Sequence, residues 1–166
     1  ANRHPRVNIL QPGAGVGGHC IAVDPWFIVA RDPENSRIIR TAREVNNYKT
    51  TWAIDQIKIA VADASAKSGK KPLVACLGLA FKPDIDDLRE SPALHIAEAL
   101  KRAEYDVVAV EPNIESHPDF NLCSLDDALD KADVIAVLVK HRQFLLPSAK
   151  QKLTEKGALD FCGMSA

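Results

Sequence analysis

Cys20 follows a glycine-dense run, Gly13-Ala14-Gly15-Val16-Gly17-Gly18-His19, and Asp24 lies four residues beyond it. Glycines this close together cost conformational entropy, and they are kept where a backbone turns tightly or approaches a ligand closely. A thiol presented by such a turn suits nucleophilic attack on a bound substrate. If Cys20 to Asp24 is helical, the carboxylate stands one turn from the thiol, and a helix N-terminus favours a thiolate. The alternative is a buried small hydrophobe, which is what most free cysteines are. Spacing alone leaves both readings open. His19 is read as structural or substrate-lining and not as the base, because adjacent side chains diverge on a helix or a strand.

A second cluster runs from Gly78 to Ser91 and contains Lys82, Asp84, Asp86, Asp87, Arg89 and Glu90. Lys82 and Arg89 are suited to holding phosphate, and Ser91 opens a helix whose first amides favour anions. The competing reading is a solvated loop whose charges pair with one another. Gly13, Gly15 and Gly18 also satisfy G-x-G-x-x-G. A dinucleotide fingerprint needs a strand before it, a helix opening at the third glycine and an acid on a second strand. Pro12 precedes this run, Pro25 is expected to block a long helix after it, and no second strand follows, so the match reads as a decoy.

These side chains need elements to hold them. Residues 1–34 are rich in loop signals, with apolar weight at Val7-Asn8-Ile9-Leu10 and Ile21 to Val29. From Ser36 the apolar residues Ile38, Ala42, Val45, Trp52, Ile57, Val61 and Ala64 recur mostly three, four or seven apart, with no Pro or Gly before Gly69. That predicts a helix of about 30 residues, or ~45 Å, long enough to bridge domains or to pair with another subunit. After Pro72 the pattern becomes strand, helix, strand. The predicted strands are residues 73–78, 107–110, 134–139 and 158–161. The predicted helices are residues 91–103, 125–129 and 145–153. Such alternation implies a parallel sheet with its ligand beyond the carboxyl ends of the strands.

Composition narrows the function classes. The hydrophobic fraction is 46%, the charged fraction 26% and the net charge −1. That is globular, and it points away from nucleic acid or an anionic membrane as partner. No apolar run reaches the ~20 residues of a membrane span, and no leader pattern opens the chain. Cys20, Cys76, Cys123 and Cys162 are scattered without the spacing of a metal site. Reduced thiols in a cytoplasmic setting are therefore expected. The polar opening, without Met, reads as a piece of something longer.

The residues Gly15-Val16-Gly17-Gly18-His19-Cys20 with Asp24, and Phe81-Lys82-Pro83-Asp84 leading to Arg89-Glu90-Ser91, resemble the UDP-glucose/GDP-mannose dehydrogenases. Pro12 to Phe27 and Leu79 to Pro92 are similar to the branch acting on UDP-N-acetyl-D-mannosamine. The resemblance implies an α/β fold. A catalytic-cysteine loop and a long central dimerisation helix would occupy 1–70. A Rossmann-like parallel sheet with flanking helices, holding the UDP-sugar, would occupy 71–166. It implies a homodimer with NAD as cofactor, bound mainly by a domain upstream of these residues, so that this piece alone would be inactive. It also implies a four-electron oxidation of the sugar 6-hydroxyl to a carboxylate through a thiohemiacetal and a thioester. On the matching positions, Cys20 would be the nucleophile and Asp24 would assist proton transfer or water activation. Gly17 would leave room for the sugar, Lys82 would contact the substrate, Arg89 would reach toward NAD, and Arg6 would contact substrate across the dimer. The tail from Asp160 to Ala166 carries no arginine where the family often has a basic residue near UDP. Rivals are an enzyme of the same chemistry acting on UDP-N-acetylglucosamine or UDP-glucose, and a nucleotide-sugar-binding dimerisation module without thiol chemistry.

Overall fold

Leu73–Leu77 forms β1, an uninterrupted apolar strand, and it becomes the centre of the sheet. The computed structural model describes residues 4–7, 9 and 11–164. Around β1 stand β2 (Asp106–Val110), β3 (Val134–Val137) and the two-residue β4 (Leu159–Asp160), in the order β2-β1-β3-β4 and all parallel. Val74 aligns with Val107 on one side and Val134 on the other. Buried on both faces, β1 and β3 carry the apolar runs expected of parallel strands.

Two helices precede the sheet. α1 is His19–Arg31 and α2 is Arg37–Ser68, which ends at a left-handed Gly69 as the sequence predicts. Pro25 does not block α1; it sits inside it. An interior proline costs about 3 kcal/mol, and the burial of Ala22 and Val29 in contact with α2 opposes that cost. α3 (Pro92–Arg102) is capped by Ser91, whose hydroxyl accepts from Leu94 N. α4 (Leu125–Lys131) is capped in the same way by Ser124. A 3-10 turn, Arg142–Leu145, leads into α5 (Pro147–Glu155).

The core lies in two layers. Val74, Cys76 and Ala136 face α2 and α3, where they meet Ala53, Ile57, Val61, Ile96 and Leu100. Ala75, Leu77 and Val137 face the other side, with Leu129, Phe144 and Leu153. The period-two alternation of β1 is thus used on both faces. Because the second half of α2 belongs to the sheet's own cluster, one core crosses position 70. Trp52 on α2 also meets Phe161 edge-on, at 5.8 Å between ring centres, which pins the tail beyond β4. Ser165 and Ala166 lie outside the described residues, as do Asn8 and Leu10. Among the described residues no helix is long and apolar enough to cross a membrane, and no group of His, Cys, Asp and Glu could hold a metal ion.

Candidate active site

β1 and β3 are neighbours whose onward connections leave in opposite directions, so the gap beyond their carboxyl ends is a switch point of the topology. A cavity of about 690 Å³ opens there. Its walls are the glycine loop from Gln11 to Gly17, the loop Ala80–Asp84 after β1, Leu138–Lys140 after β3, and Cys162 after β4. Lys82, Lys140 and Arg142 line it, against the single carboxylate of Asp84. Lys140 Nζ donates to Gly163 O, and Arg142 Nε donates to Asp84 at 2.9 Å. Lys82 remains the lining cation with no carboxylate or carbonyl partner recorded among the described residues, which suits an anionic ligand.

The glycine loop is held from α2. Asn46 accepts from Val16 N at 2.7 Å and donates to Val16 O, Arg43 donates to the same carbonyl, and Thr50 donates to Ala14 O. These polar residues fall three and four apart on one helical face. That stripe is legible in the sequence as three polar residues at helical spacing. Gly17 is required by a neighbour inside the chain: a Cβ there would stand 2.1 Å from Glu90 O and 2.6 Å from Pro92 Cδ. Glu90 itself has φ 49°, a left-handed turn that aims its carbonyl at the loop. Gly17 also lines the cavity. Gly18, at φ 89°, lies against the Phe81 ring and is the N-cap of α1. A helix therefore does open at the third glycine, although no strand precedes Gly13 among the described residues.

Cys20 is exposed in the first turn of α1, and the exposed Asp24 follows one turn later. The buried alternative for Cys20 is removed. Cys20 is not in the cavity wall, although Gly17 and Ile21 are. His19 does not diverge from it: Nδ1 stands 3.4 Å from Cys20 Sγ. Two consecutive side chains at a helix start can turn toward each other where neither is buried. The Arg89 guanidinium is bound to Asp87 at 2.6 Å and lies close enough to Cys20 for the two to interact electrostatically. Hydrogen bonds from Arg89 hold the Asp87 carboxyl down at about 2. The exposed Arg89 is thus paired with Asp87 within the loop, and it is not in the cavity wall. Arg6 is exposed and apart from the cavity wall, and its amide donates to His4. Ser91 is buried, with Pro92 beneath Gly15 and Gly17, so the glycine loop covers the start of α3. Burial pushes the Cys76 and Cys162 thiols up to about 12.

A parallel α/β sheet with a cation-lined cavity at its switch point is the architecture of the nucleotide-binding α/β proteins, and an exposed thiol stands in the first turn of the helix that follows its glycine loop. The model of the UDP binding domain of the UDP-glucose/GDP-mannose dehydrogenase family matches residues 75–164, and that of its central domain matches residues 1–48. The chain belongs to the UDP-glucose/GDP-mannose dehydrogenase family. It is 59% identical over 153 residues to UDP-N-acetyl-D-mannosamine dehydrogenase of Escherichia coli (strain K12), covering 87% of this chain and 36% of that protein. It is 52% identical to NDP-N-acetyl-D-galactosaminuronic acid dehydrogenase of Ralstonia nicotianae, over 87% of this chain and 34% of that one. Among solved structures, UDP-D-ManNAc dehydrogenase from Pyrococcus horikoshii superposes with a TM-score of 0.76 at 31% identity, covering 99% of this chain and 39% of that chain. The chain thus spans roughly a third of the length of the curated relatives it matches.

Proposed function

We propose that this chain is the part of an NAD-dependent UDP-N-acetyl-D-mannosamine 6-dehydrogenase that binds the nucleotide sugar and supplies its nucleophile. The observation that carries the reading is the cavity at the β1/β3 switch point, with Lys82 in its wall, together with the exposed Cys20 on the helix that follows the glycine loop of that wall. A diphosphate supplies the negative charge that Lys82 meets. The uridine and sugar fit a space of about 690 Å³, within the ~300–1,000 Å³ usual for small-molecule sites. Cys20 Sγ adds to the C6 aldehyde of the half-oxidised sugar. The S–C bond forms as the carbonyl π bond opens onto oxygen, which takes a proton, and the reactive aldehyde is held until it is oxidised again. Asp24, one turn away, serves the proton transfers or the water that releases the acid. Arg6 contacts substrate across a homodimer, and Arg89 faces the cofactor.

NAD has no cradle among the described residues of this chain. Among the described residues no strand leads into Gly13, and Glu111, the acid at the end of β2 where a ribose is commonly recognised, is 4% exposed with both oxygens engaged internally. The reading therefore assigns NAD to the part of the enzyme that these 166 residues do not span, and these residues alone do not turn over.

The dimer reading rests on α2. Ile38, Val45, Trp52 and Ile59 recur every seven residues and stand 86%, 63%, 38% and 56% exposed, a stripe suited to a second helix.

The test uses the full-length enzyme containing this chain. Cys20→Ser is expected to lower NADH formation by about a thousandfold or more, with UDP binding retained. UDP-N-acetyl-D-mannosamine should be oxidised in preference to UDP-N-acetylglucosamine and UDP-glucose. Unchanged turnover in Cys20→Ser would leave a nucleotide-sugar-binding module without thiol chemistry.

A further inference from the structure

Behind the cavity wall, away from the thiol, Glu111 and His141 form a contact in which both side chains have no exposed surface. Glu111 directly follows β2, and His141 directly precedes the 3-10 turn after β3. His141 Nε2 stands 3.0 Å from Glu111 Oε2, and the same oxygen accepts from Leu79 N at 2.7 Å and Ala80 N at 3.0 Å. Oε1 accepts from Asn113 N and Nδ2, both at 3.1 Å. On the other edge of the ring, His141 Nδ1 accepts from Asp84 N at 3.0 Å and lies 3.0 Å from Asn113 Nδ2. An Nδ1 that accepts an amide proton leaves the ring's own proton on Nε2, directed at the carboxylate. Asp84, at φ 60°, extends the chain of contacts outward, because its carboxylate takes Arg142 N and Nε, both at 2.9 Å.

One side-chain pair thus grips both ends of a six-residue stretch. Leu79 and Ala80 are held through Glu111, and Asp84 is held through His141. Lys82 lies between the grips, in the cavity wall. The loop is closed further by Phe81 N donating to Asp87 O at 3.1 Å. Buried polar groups satisfied to this degree fix one backbone geometry, because each alternative leaves a donor or acceptor unpaired in a low-dielectric site.

We propose that Glu111 and His141 are positioning residues, a buried clasp that sets the loop Leu79–Asp84 at the height where Lys82 meets the ligand's phosphate. The inference rests on the nucleotide reading of the cavity. It also gives the acid at the end of β2 a task other than holding a ribose.

The test measures three things on the full-length enzyme containing this chain: UDP affinity by titration calorimetry, hydrogen exchange at single amides, and melting temperature. In His141→Ala, UDP should bind about 10- to 100-fold more weakly, the scale of loss when a contact group is misplaced by about 1 Å. The Leu79, Ala80 and Asp84 amides should exchange faster while the β1 and β3 amides keep their protection well below the melting temperature. His141→Asn, whose carbonyl can still accept from Asp84 N, should recover much of the affinity. Should His141→Ala fail to fold, Glu111→Gln carries the test, because its amide cannot satisfy the donors on both sides at once. The proposal is overturned if the variants bind UDP as tightly as the unaltered enzyme, or if loop and strand amides accelerate together. No UDP binding by the unaltered full-length enzyme removes the nucleotide reading, and the positioning role with it. That failure differs from failure of the clasp alone, in which the unaltered enzyme binds UDP.

Discussion

Four cysteines share this chain, and their environments separate them. Cys20 is exposed, whereas burial pushes Cys76 and Cys162 up to about 12 and raises Cys123 less. Thiolate is the attacking form, so alkylation should follow exposure and acidity. Brief iodoacetamide treatment at pH 8, followed by peptide mass spectrometry, should find Cys20 modified first and Cys76 and Cys162 unmodified in the folded protein. Equal labelling of Cys20 and Cys76 would contradict the assignment. At Gly17 an added methyl meets the Glu90 carbonyl at 2.1 Å, and a backbone oxygen cannot turn aside as a flexible side chain can. Gly17→Ala should therefore cost about 3 kcal/mol of stability, read from urea melts. That Cys20 and Asp24 stand one turn apart was legible from their spacing, because a helix fixes that separation. The contact between His19 and Cys20 was not, since it depends on rotamers that neighbouring atoms decide.

At the scale of elements, α2 does two jobs. Its inner face contributes Ile54, Ile57 and Val61 to the sheet's core, while Arg43, Asn46 and Thr50 hold the glycine loop. Asn46→Ala should free Val16 N, leave Val16 O to Arg43 alone, and destabilise by about 1–3 kcal/mol, with faster exchange at Val16. β2 and the turn after β3 are joined by Glu111 and His141. Burial alone would raise the Glu111 carboxyl. Hydrogen bonds from His141 and from Leu79 N and Ala80 N outweigh it and bring the group from 4.5 to about 2. A depressed carboxyl contributes stability above its unfolded value, and that stability is lost as pH falls through the folded one. Acid melts should therefore show stability declining between about pH 4.5 and about pH 2, and Glu111→Gln should flatten that limb. The element order was readable because apolar period and capping residues are local: Ser91, Ser124 and Gly69 stand where their helix ends require them. Pro25 misled because its local cost is set against burial contributed by α2.

For the whole molecule, α1 and α2 carry most of the exposed large apolar side chains among the described residues. Phe27 is 68% exposed and Tyr48 66%, close in exposure to the seven-residue stripe of α2. An exposed apolar surface of this extent marks an interaction site. Light scattering at micromolar concentration should give twice the mass of the 18.1 kDa chain. Val45→Asp should shift it to monomer with helix content unchanged by circular dichroism. A monomer in the unaltered chain would sink the pairing.

By itself the sequence determined the α/β class, the long helix and its stop at Gly69, the alternation of strand and helix after Pro72, and the family to which Cys20, Asp24, Lys82 and Arg89 point. These follow from periodicity, caps and motif spacing, which act over a few residues. Only the tertiary structure decided that β1 and β3 are neighbours with a cavity beyond them. It alone showed that Gly17 is reserved for the Glu90 carbonyl, that Arg89 is paired with Asp87, and that Glu111 and His141 meet inside the molecule. Each of these joins segments that the chain itself keeps apart, by 30 residues for Glu111 and His141. Such meetings are set by the order of strands and the packing of layers, which no local pattern of residue types encodes.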